Sequence, residues 1–219
     1  AVIWDMDGVI VDSGPYHFRS WRSVFSQRGV DFTESDFRGH FGQRNDTIIR
    51  SALGNVSQAE VDAIVAEKES RFRQFVAGHI RAFPGALELI ASLHRRRIKM
   101  AIASSAPPEN IDLITQSLKI RGCFQAIVYG HEVKEGKPSP QGFRLAAEKL
   151  GVAPPNCVVF EDAVAGVEAA KRAGMQCVAV TNTHPAASLA QADLVTDSLE
   201  NVDIEVLEGL FKKEIEQEK

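Results

Sequence analysis

The spacing of apolar and polar positions changes period twice along the chain. Ala1 to Trp4 is a short apolar run stopped by a polar break, the pattern of a buried strand rather than a helix. A Gly14-Pro15 break then leads into a helix-like stretch, Tyr16 to Arg28, ended by Gly29. From there to about His79 no strand pattern occurs. Phe37, Phe41, Ile48, Ile49 and Leu53 recur at roughly helical spacing, as do Val61, Ile64, Val65, Phe72 and Val76 after Gly54-Asn55. Ser57 and Glu60 have capping-box spacing for the start of the last of these helices. The stretch from Gly14 to about His79 therefore reads as one all-helical block.

Beyond it, short apolar runs alternate with helical ones. Pro84-Gly85 opens a helix through His94, and Ile98 to Ala103 is a strand. Pro108 to Leu118 is helical, Ala126 to Tyr129 a strand, and Pro140 to Leu150 a helix ended by Gly151. Val158 to Phe160 is a strand, Ala163 to Ala173 a helix ended by Gly174, and Cys177 to Thr181 a strand. Leu194 to Val195 is a last weak strand before an acidic-basic helix from Ile204, whose end, Lys212 to Lys219, reads as solvated. This alternation predicts parallel βαβ crossovers and an α/β fold with a doubly wound parallel sheet. The expected organisation is an α/β core of residues 1–13 and 81–219, with a helical domain of residues 14–80 inserted after the first strand. Asp12 to Pro15 and Arg81 to Gly85 are the expected hinges.

Composition narrows the function classes. The 219 residues are 44% hydrophobic, ordinary for a globular protein with a sizeable core. A formal charge of -4 and a pI near 5.9 argue against a general polyanion binder, and no basic, aromatic-interleaved stripe suggests a nucleic-acid partner. The longest apolar runs are too short to span a membrane. Strand-like sequence from the first residue shows no signal peptide, so a cytoplasmic location is expected. Cys123, Cys157 and Cys177 are odd in number and outside any zinc or redox spacing, and read as buried apolar side chains.

The candidate chemistry lies where predicted strands end. Asp5 follows the first strand, with Asp7, Gly8 and Asp12 close behind. Open α/β sheets bind ligands at the carboxyl ends of their strands. Asp5 and Asp7, two apart in extended chain, face the same way while Met6 turns inward. Two carboxylates about 4 Å apart repel by roughly 4 kcal/mol at an effective dielectric near 20. A shared divalent cation or a retained proton relieves that repulsion. The competing reading is an Asp-Gly hairpin turn with solvated aspartates. Ser104 and Ser105 stand between the second core strand and a helix, where small hydroxyls and free N–H groups suit a phosphate, or where one serine merely caps the helix. Lys137 lies in the loop Gly136-Lys137-Pro138. Glu161 and Asp162 follow the strand Val158 to Phe160, with helix capping by Asp162 as the alternative. Gathered at one sheet edge, these carboxylates, the lysine and the hydroxyls describe a Mg²⁺ site handling a phosphoryl group. No Gly-rich Walker-type loop is present.

Asp5-Met6-Asp7-Gly8-Val9, Ser104, Lys137-Pro138 and Glu161-Asp162 resemble, in order, the four motifs of the haloacid dehalogenase superfamily, a likeness that covers nearly the whole chain. The helical insert resembles the four-helix cap of its β-phosphoglucomutase-like branch, and Tyr16 to Trp21 is similar to the segment carrying that branch's catalytic-loop histidine. The resemblance implies a Rossmann-like core in which Asp5 is the nucleophile and Asp7 the general acid/base. It implies Mg²⁺ held by Asp5, the Asp7 backbone carbonyl and Asp162, with Glu161 an additional ligand or a support behind them. Ser104, the Ser105 amide and Lys137 would hold the phosphoryl oxygens, and His17, Arg44 and Lys68 of the cap would meet substrate. Arg44 and Lys68 equally fit solvated helix positions.

The match weakens at Phe41 to Thr47. The mutases carry a lysine before the glycine and a Ser-Arg pair after it. Here, anchored on Gly42, Phe41 stands at the lysine and Asn45 at the arginine. Sliding by one recovers Arg44 and Asp46 but puts His40 at the lysine. Ala106 also replaces a further serine. A weaker grip on a second phosphate favours water as acceptor. The expected function is thus a Mg²⁺-dependent phosphatase acting on a small phosphorylated metabolite, a sugar phosphate, as a monomer whose cap closes by hinge motion. A β-phosphoglucomutase or related hexose-phosphate mutase is the first alternative, and a catalytically idle binding homologue the second.

Overall fold

The structure, a computed structural model, describes residues 1–40 and 43–217. Phe41 of the helical pattern, Gly42 of the motif comparison, and Glu218 and Lys219 of the tail lie outside the described residues. The chain divides into two compact units, Ala1–Asp12 with Arg81–Lys219, and Ser13–Ile80.

The first unit is built on a parallel sheet of six strands among the described residues: β1 (Val2–Trp4), β2 (Met100–Ala103), β3 (Ala126–Val128), β4 (Val158–Glu161), β5 (Gln176–Val180) and β6 (Leu194–Thr196). Their order is β3-β2-β1-β4-β5-β6. Every residue of β1, β2, β4 and β5 is buried, which is why these strands, apart from Glu161 and Gln176 at their ends, read as apolar runs. Ile3 is in register with Ala101 on one side and Val159 on the other. The chain builds outward from β1 through β2 to β3, then returns to β4 on the opposite side of β1. That reversal makes the β1–β4 boundary the switch point of the sheet.

Helices α5 (Ala86–Arg95), α6 (Pro108–Ser117), α7 (Gln141–Leu150), α8 (Val164–Ala173) and α9 (Ile204–Gln217) belong to the same unit, numbered in chain order after the helices of the second. Ile3, Ala101 and Val159 of the sheet share one core with Phe143, Ala146 and Ala147 of α7 and with Val167, Ala169 and Ala170 of α8. The many alanines let both helices approach the sheet closely.

The second unit contains α1 (Gly14–Ser26), α2 (Glu34–His40), α3 (Asn45–Leu53) and α4 (Gln58–Val76). Trp21, Val24 and Phe25 of α1 pack with Phe32, Ile48, Ile49, Val61 and Ile64. The Trp21 and Phe25 rings stack at 5.2 Å. Ser57 and Glu60 form the reciprocal capping box expected at the start of α4.

Two of the boundaries that differ from the sequence reading have clear local reasons. Helix α1 begins at Gly14, because Pro15 in the first turn lacks only an N–H that has no helical partner there. Strand β2 begins at Met100 rather than Ile98. The Ile98 N–H closes the end of α5 on the Leu93 carbonyl, with Arg97 at φ +58° in between.

Candidate active site

Asp5 is the first residue past β1, and its N–H still bonds the Phe160 carbonyl of β4 at 3.0 Å. The sheet ladder thus fixes the Asp5 backbone beside the end of β4. The chain then turns tightly, with the N–H groups of Ile10 and Val11 returning to the Met6 carbonyl at 2.9 and 3.1 Å. This turn is not a hairpin, since both neighbours of β1 are parallel strands. Met6 is buried, as the alternation of side chains requires. Gly8 adopts φ +90°, and a Cβ there would lie 2.1 Å from Asp162 Oδ2. Only glycine lets the first-strand loop pass against the Asp162 carboxylate.

The Lys137 ammonium reaches across from the loop before α7 and donates to Asp5 Oδ1 at 2.5 Å and to Glu161 Oε1. The second Glu161 oxygen accepts the N–H groups of Asp162 and Ala163 at 2.9 and 3.1 Å. Glu161 is wholly buried, and its carboxylate lies against Gly166 of α8, where a Cβ would come within 2.0 Å. With both oxygens engaged, Glu161 holds Lys137 and the turn into α8. These bonds suit the support behind the metal ligands that the resemblance gives as one of its two roles. Asp162 does not cap α8: Ala163 occupies the cap position and no side chain bonds there.

Burial pushes the Asp5 carboxyl up to about 7, with Lys137 opposing and the charges of Glu161 and Asp7 adding to the shift. Asp162 is held well above the ordinary aspartate value, first by burial and then by Glu161 and Asp5. Burial disfavours the charge on Lys137, but Asp5 and Glu161 outweigh it and raise its pKa, so the ammonium persists. Three buried carboxylates, with Asp7 nearby, thus face a single ammonium. That surplus of negative charge is what a divalent cation neutralises, and hard carboxylate and carbonyl oxygens are the donors magnesium takes. Among the described residues no three His, Cys, Asp or Glu side chains converge as a ready-made metal cage. Magnesium does not need one, because it keeps several waters and binds through one or two carboxylates.

Ser104 extends β2 by bonding the Val128 carbonyl, and its hydroxyl oxygen accepts the Ala106 N–H at 3.1 Å. With that lone pair committed, the hydroxyl proton is available to an anion. Neither serine caps α6, whose cap position is Pro107. Ser104 is buried and Ser105 exposed. Both line a cavity of about 50 Å³ that also borders Lys137, Ser139 and Phe143. A larger cavity of about 350 Å³, lined by Leu53, Val56 and Ile64 of the helical unit, borders none of the candidate catalytic, metal or substrate residues.

In the helical unit, His17 stacks on Phe72 at 4.0 Å and its Nδ1 lies 2.9 Å from Lys68 Nζ. Lys68 also donates to Glu69 Oε1 at 2.8 Å, and Asn45 donates to the same oxygen at 2.9 Å. Lys68 is 2% exposed, which replaces the solvated-helix alternative for it. Arg44 is exposed and pairs with Asp46 at 3.3 Å, the geometry of a surface ion pair. The structure therefore joins His17 to Lys68, while Arg44 pairs with Asp46.

Glu69 and the loop after β5 join these clusters without having been singled out from sequence, and Asn45 enters the sequence reading only as the residue at the mutase arginine position. In that loop Asn182 donates to the Gly8 carbonyl at 2.8 Å, and the Thr183 hydroxyl lies within bonding reach of Asp162 Oδ2. The signal was available, since these residues follow a strand's carboxyl end like all the others. The three cysteines are unpaired, with Cys123 only half buried, and burial raises the Cys177 thiol.

Residues 1–174 match the family model described as haloacid dehalogenase-like hydrolase. The chain is 30% identical to validoxylamine A 7'-phosphate phosphatase of Streptomyces hygroscopicus subsp. limoneus, over 92% of this chain and 95% of that one. It is 33% identical to fructose-1-phosphate phosphatase YqaB of Escherichia coli, over 82% and 95%. Among solved structures, β-phosphoglucomutase from Clostridium difficile superposes with a TM-score of 0.88 at 27% identity, covering 98% of both chains.

Proposed function

The chain belongs to the haloacid dehalogenase-like hydrolases, and on that premise we propose that it is a Mg²⁺-dependent phosphatase of a small phosphorylated metabolite, a sugar phosphate, acting through phospho-Asp5. One observation carries the reading: a buried aspartate at the end of β1, bound by Lys137 and surrounded by more carboxylate than that lysine can neutralise.

An Asp5 oxygen attacks phosphorus, the bond to the sugar oxygen breaks, and Asp7 gives that leaving oxygen its proton. Asp7 then takes a proton from water, which attacks phosphorus and releases phosphate from Asp5. Lys137 and the Ser104 hydroxyl neutralise the non-bridging oxygens, with the Ser105 amide beside them. Glu161 keeps Lys137 charged and in place. Asp5, the Asp7 carbonyl and Asp162 would hold Mg²⁺, whose charge would lower the Asp5 pKa and offset the negative charge of the transferring group.

The helical unit is assigned the choice of substrate, with His17 and Lys68 as its polar contacts and Arg44 as the weaker candidate. The relatives named as phosphatases of fructose 1-phosphate and of validoxylamine A 7'-phosphate support this substrate class. The likeness to a β-phosphoglucomutase keeps a mutase as the second reading. β-Glucose 1-phosphate with a trace of the 1,6-bisphosphate distinguishes them: glucose 6-phosphate identifies a mutase, whereas inorganic phosphate identifies a hydrolase. A panel of phosphorylated metabolites, read by Mg²⁺-dependent phosphate release, then names the substrate. No release from any of them, with no isomerised product, overturns both readings.

A further inference from the structure

The loop after β5 reaches both halves of the proposed metal site. Asn182 Nδ2 donates to the carbonyl of Gly8, the residue after Asp7. One residue on, Thr183 Oγ1 lies at hydrogen-bonding distance from Asp162 Oδ2 and 3.0 Å from the Asp162 carbonyl oxygen. A hydroxyl has one proton, and a carboxylate oxygen is the stronger acceptor, so Thr183 donates to Oδ2. His184 Nδ1 sits 3.0 Å from the Thr183 hydroxyl and 3.2 Å from the Asp162 carbonyl, and completes the cluster.

Asp162 Oδ2 is therefore confined from two sides. Thr183 binds it, and the Gly8 α-carbon passes so close that even a methyl group would collide with it. The other oxygen, Oδ1, stands farther from Gly8, at 3.1 Å from the same imagined Cβ against 2.1 Å for Oδ2. A carboxylate pinned through one oxygen cannot swing to present both to a cation.

We infer that Thr183, supported by Asn182, restricts Asp162 to one-oxygen ligation and thereby makes the site select Mg²⁺ over Ca²⁺. Magnesium demands compact octahedral coordination at about 2.0–2.1 Å and accepts single carboxylate oxygens, whereas calcium takes 6–8 ligands and commonly binds carboxylates through both. Thr183 is a positioning residue: it acts through Asp162. The inference rests on the reading that Asp5 and Asp162 hold the metal.

The test is calorimetric titration of the full chain with Mg²⁺ alone and Ca²⁺ alone, for the parent protein, Thr183→Val, Thr183→Ser and Asn182→Ala. Thr183→Val keeps the shape and removes the hydroxyl at an exposed position. It should weaken Mg²⁺ binding roughly 10–100-fold, as losses of outer hydrogen bonds to metal ligands do, while Ca²⁺ affinity holds or tightens. Thr183→Ser should restore the parent Mg²⁺/Ca²⁺ ratio, and Asn182→Ala should move it less than Thr183→Val does. An unchanged ratio in Thr183→Val, or equal weakening of both metals, overturns the inference and leaves the metal site standing. A parent protein that binds neither metal overturns the metal reading itself, and the clamp with it.

Discussion

The two units each bury charge, and they do so in opposite ways. At the sheet edge, Asp5 and Glu161 bind one ammonium, Lys137, with Asp162 beside them, and both aspartates are held well above their ordinary pKa. In the helical unit, Lys68 meets Glu69 at 2.8 Å, and Asn45 and His17 extend the chain of hydrogen bonds. The first arrangement is short of positive charge and gains from an added cation. The second pairs its ions internally and gains nothing from one. Buried charge therefore marks a cation site where it is left uncompensated; where each ion meets its opposite, it fixes the positions of the side chains that carry it.

That contrast predicts substitutions of opposite sign. The largest effect is on turnover: Asp5→Asn should reduce phosphate release by at least about 10⁴-fold, as loss of a covalent nucleophile does. The same variant should lose no stability without metal. Retention of substantial turnover would remove Asp5 from the nucleophile's role. Next, Glu69→Leu should destabilise the protein by about 3 kcal/mol in denaturant titrations, because it strands the buried Lys68 ammonium. Asp162→Asn in metal-free protein should instead be neutral or stabilising by about 1 kcal/mol, because it relieves crowding with Asp5 and Glu161. The same sign for both would erase the distinction between the two clusters.

Mg²⁺ sharpens it further. At about a hundredfold excess over its dissociation constant, a ligand of the native state contributes roughly 2.7 kcal/mol. For a chain of this size that corresponds to a rise of about 5–10 °C in the melting temperature. The rise should vanish in Asp162→Asn and survive in Glu69→Leu.

The smallest effect is the pH dependence. The folded pKa of Asp5 lies at about 7, above the ordinary value near 3.9, so the native state binds this proton more tightly than the unfolded chain does. Its contribution to stability is fully present below about pH 4 and is lost as pH rises toward 7. The melting temperature of Asp5→Asn relative to the parent should therefore climb by a few degrees between pH 5 and 8 without metal. Saturating Mg²⁺ should flatten that difference.

Much of this was legible in the residues. Strands buried on both faces must read as apolar runs, which located β1, β2, β4 and β5 to within one or two positions. The rule that ligands bind at strand ends picked out Asp5, Ser104, Lys137 and Asp162 as candidates, because parallel crossovers deliver every such end to one edge. Lys137 was the least secure of these from sequence alone. A loop lysine is ordinarily solvated, and only its arrival between Asp5 and Glu161 shows otherwise.

What the sequence determined was the periodicity and the order of chemical groups along it, since both are local properties of the chain. What only the tertiary structure decided was partnership. Glu161 supports Lys137, Lys68 is buried against Glu69 and His17, and Thr183 reaches Asp162 from 21 residues away. Such pairings depend on which segments the sheet and the helices bring within about 3 Å. Hydrogen bonds and desolvated charges act at that range, and no spacing along the chain encodes it.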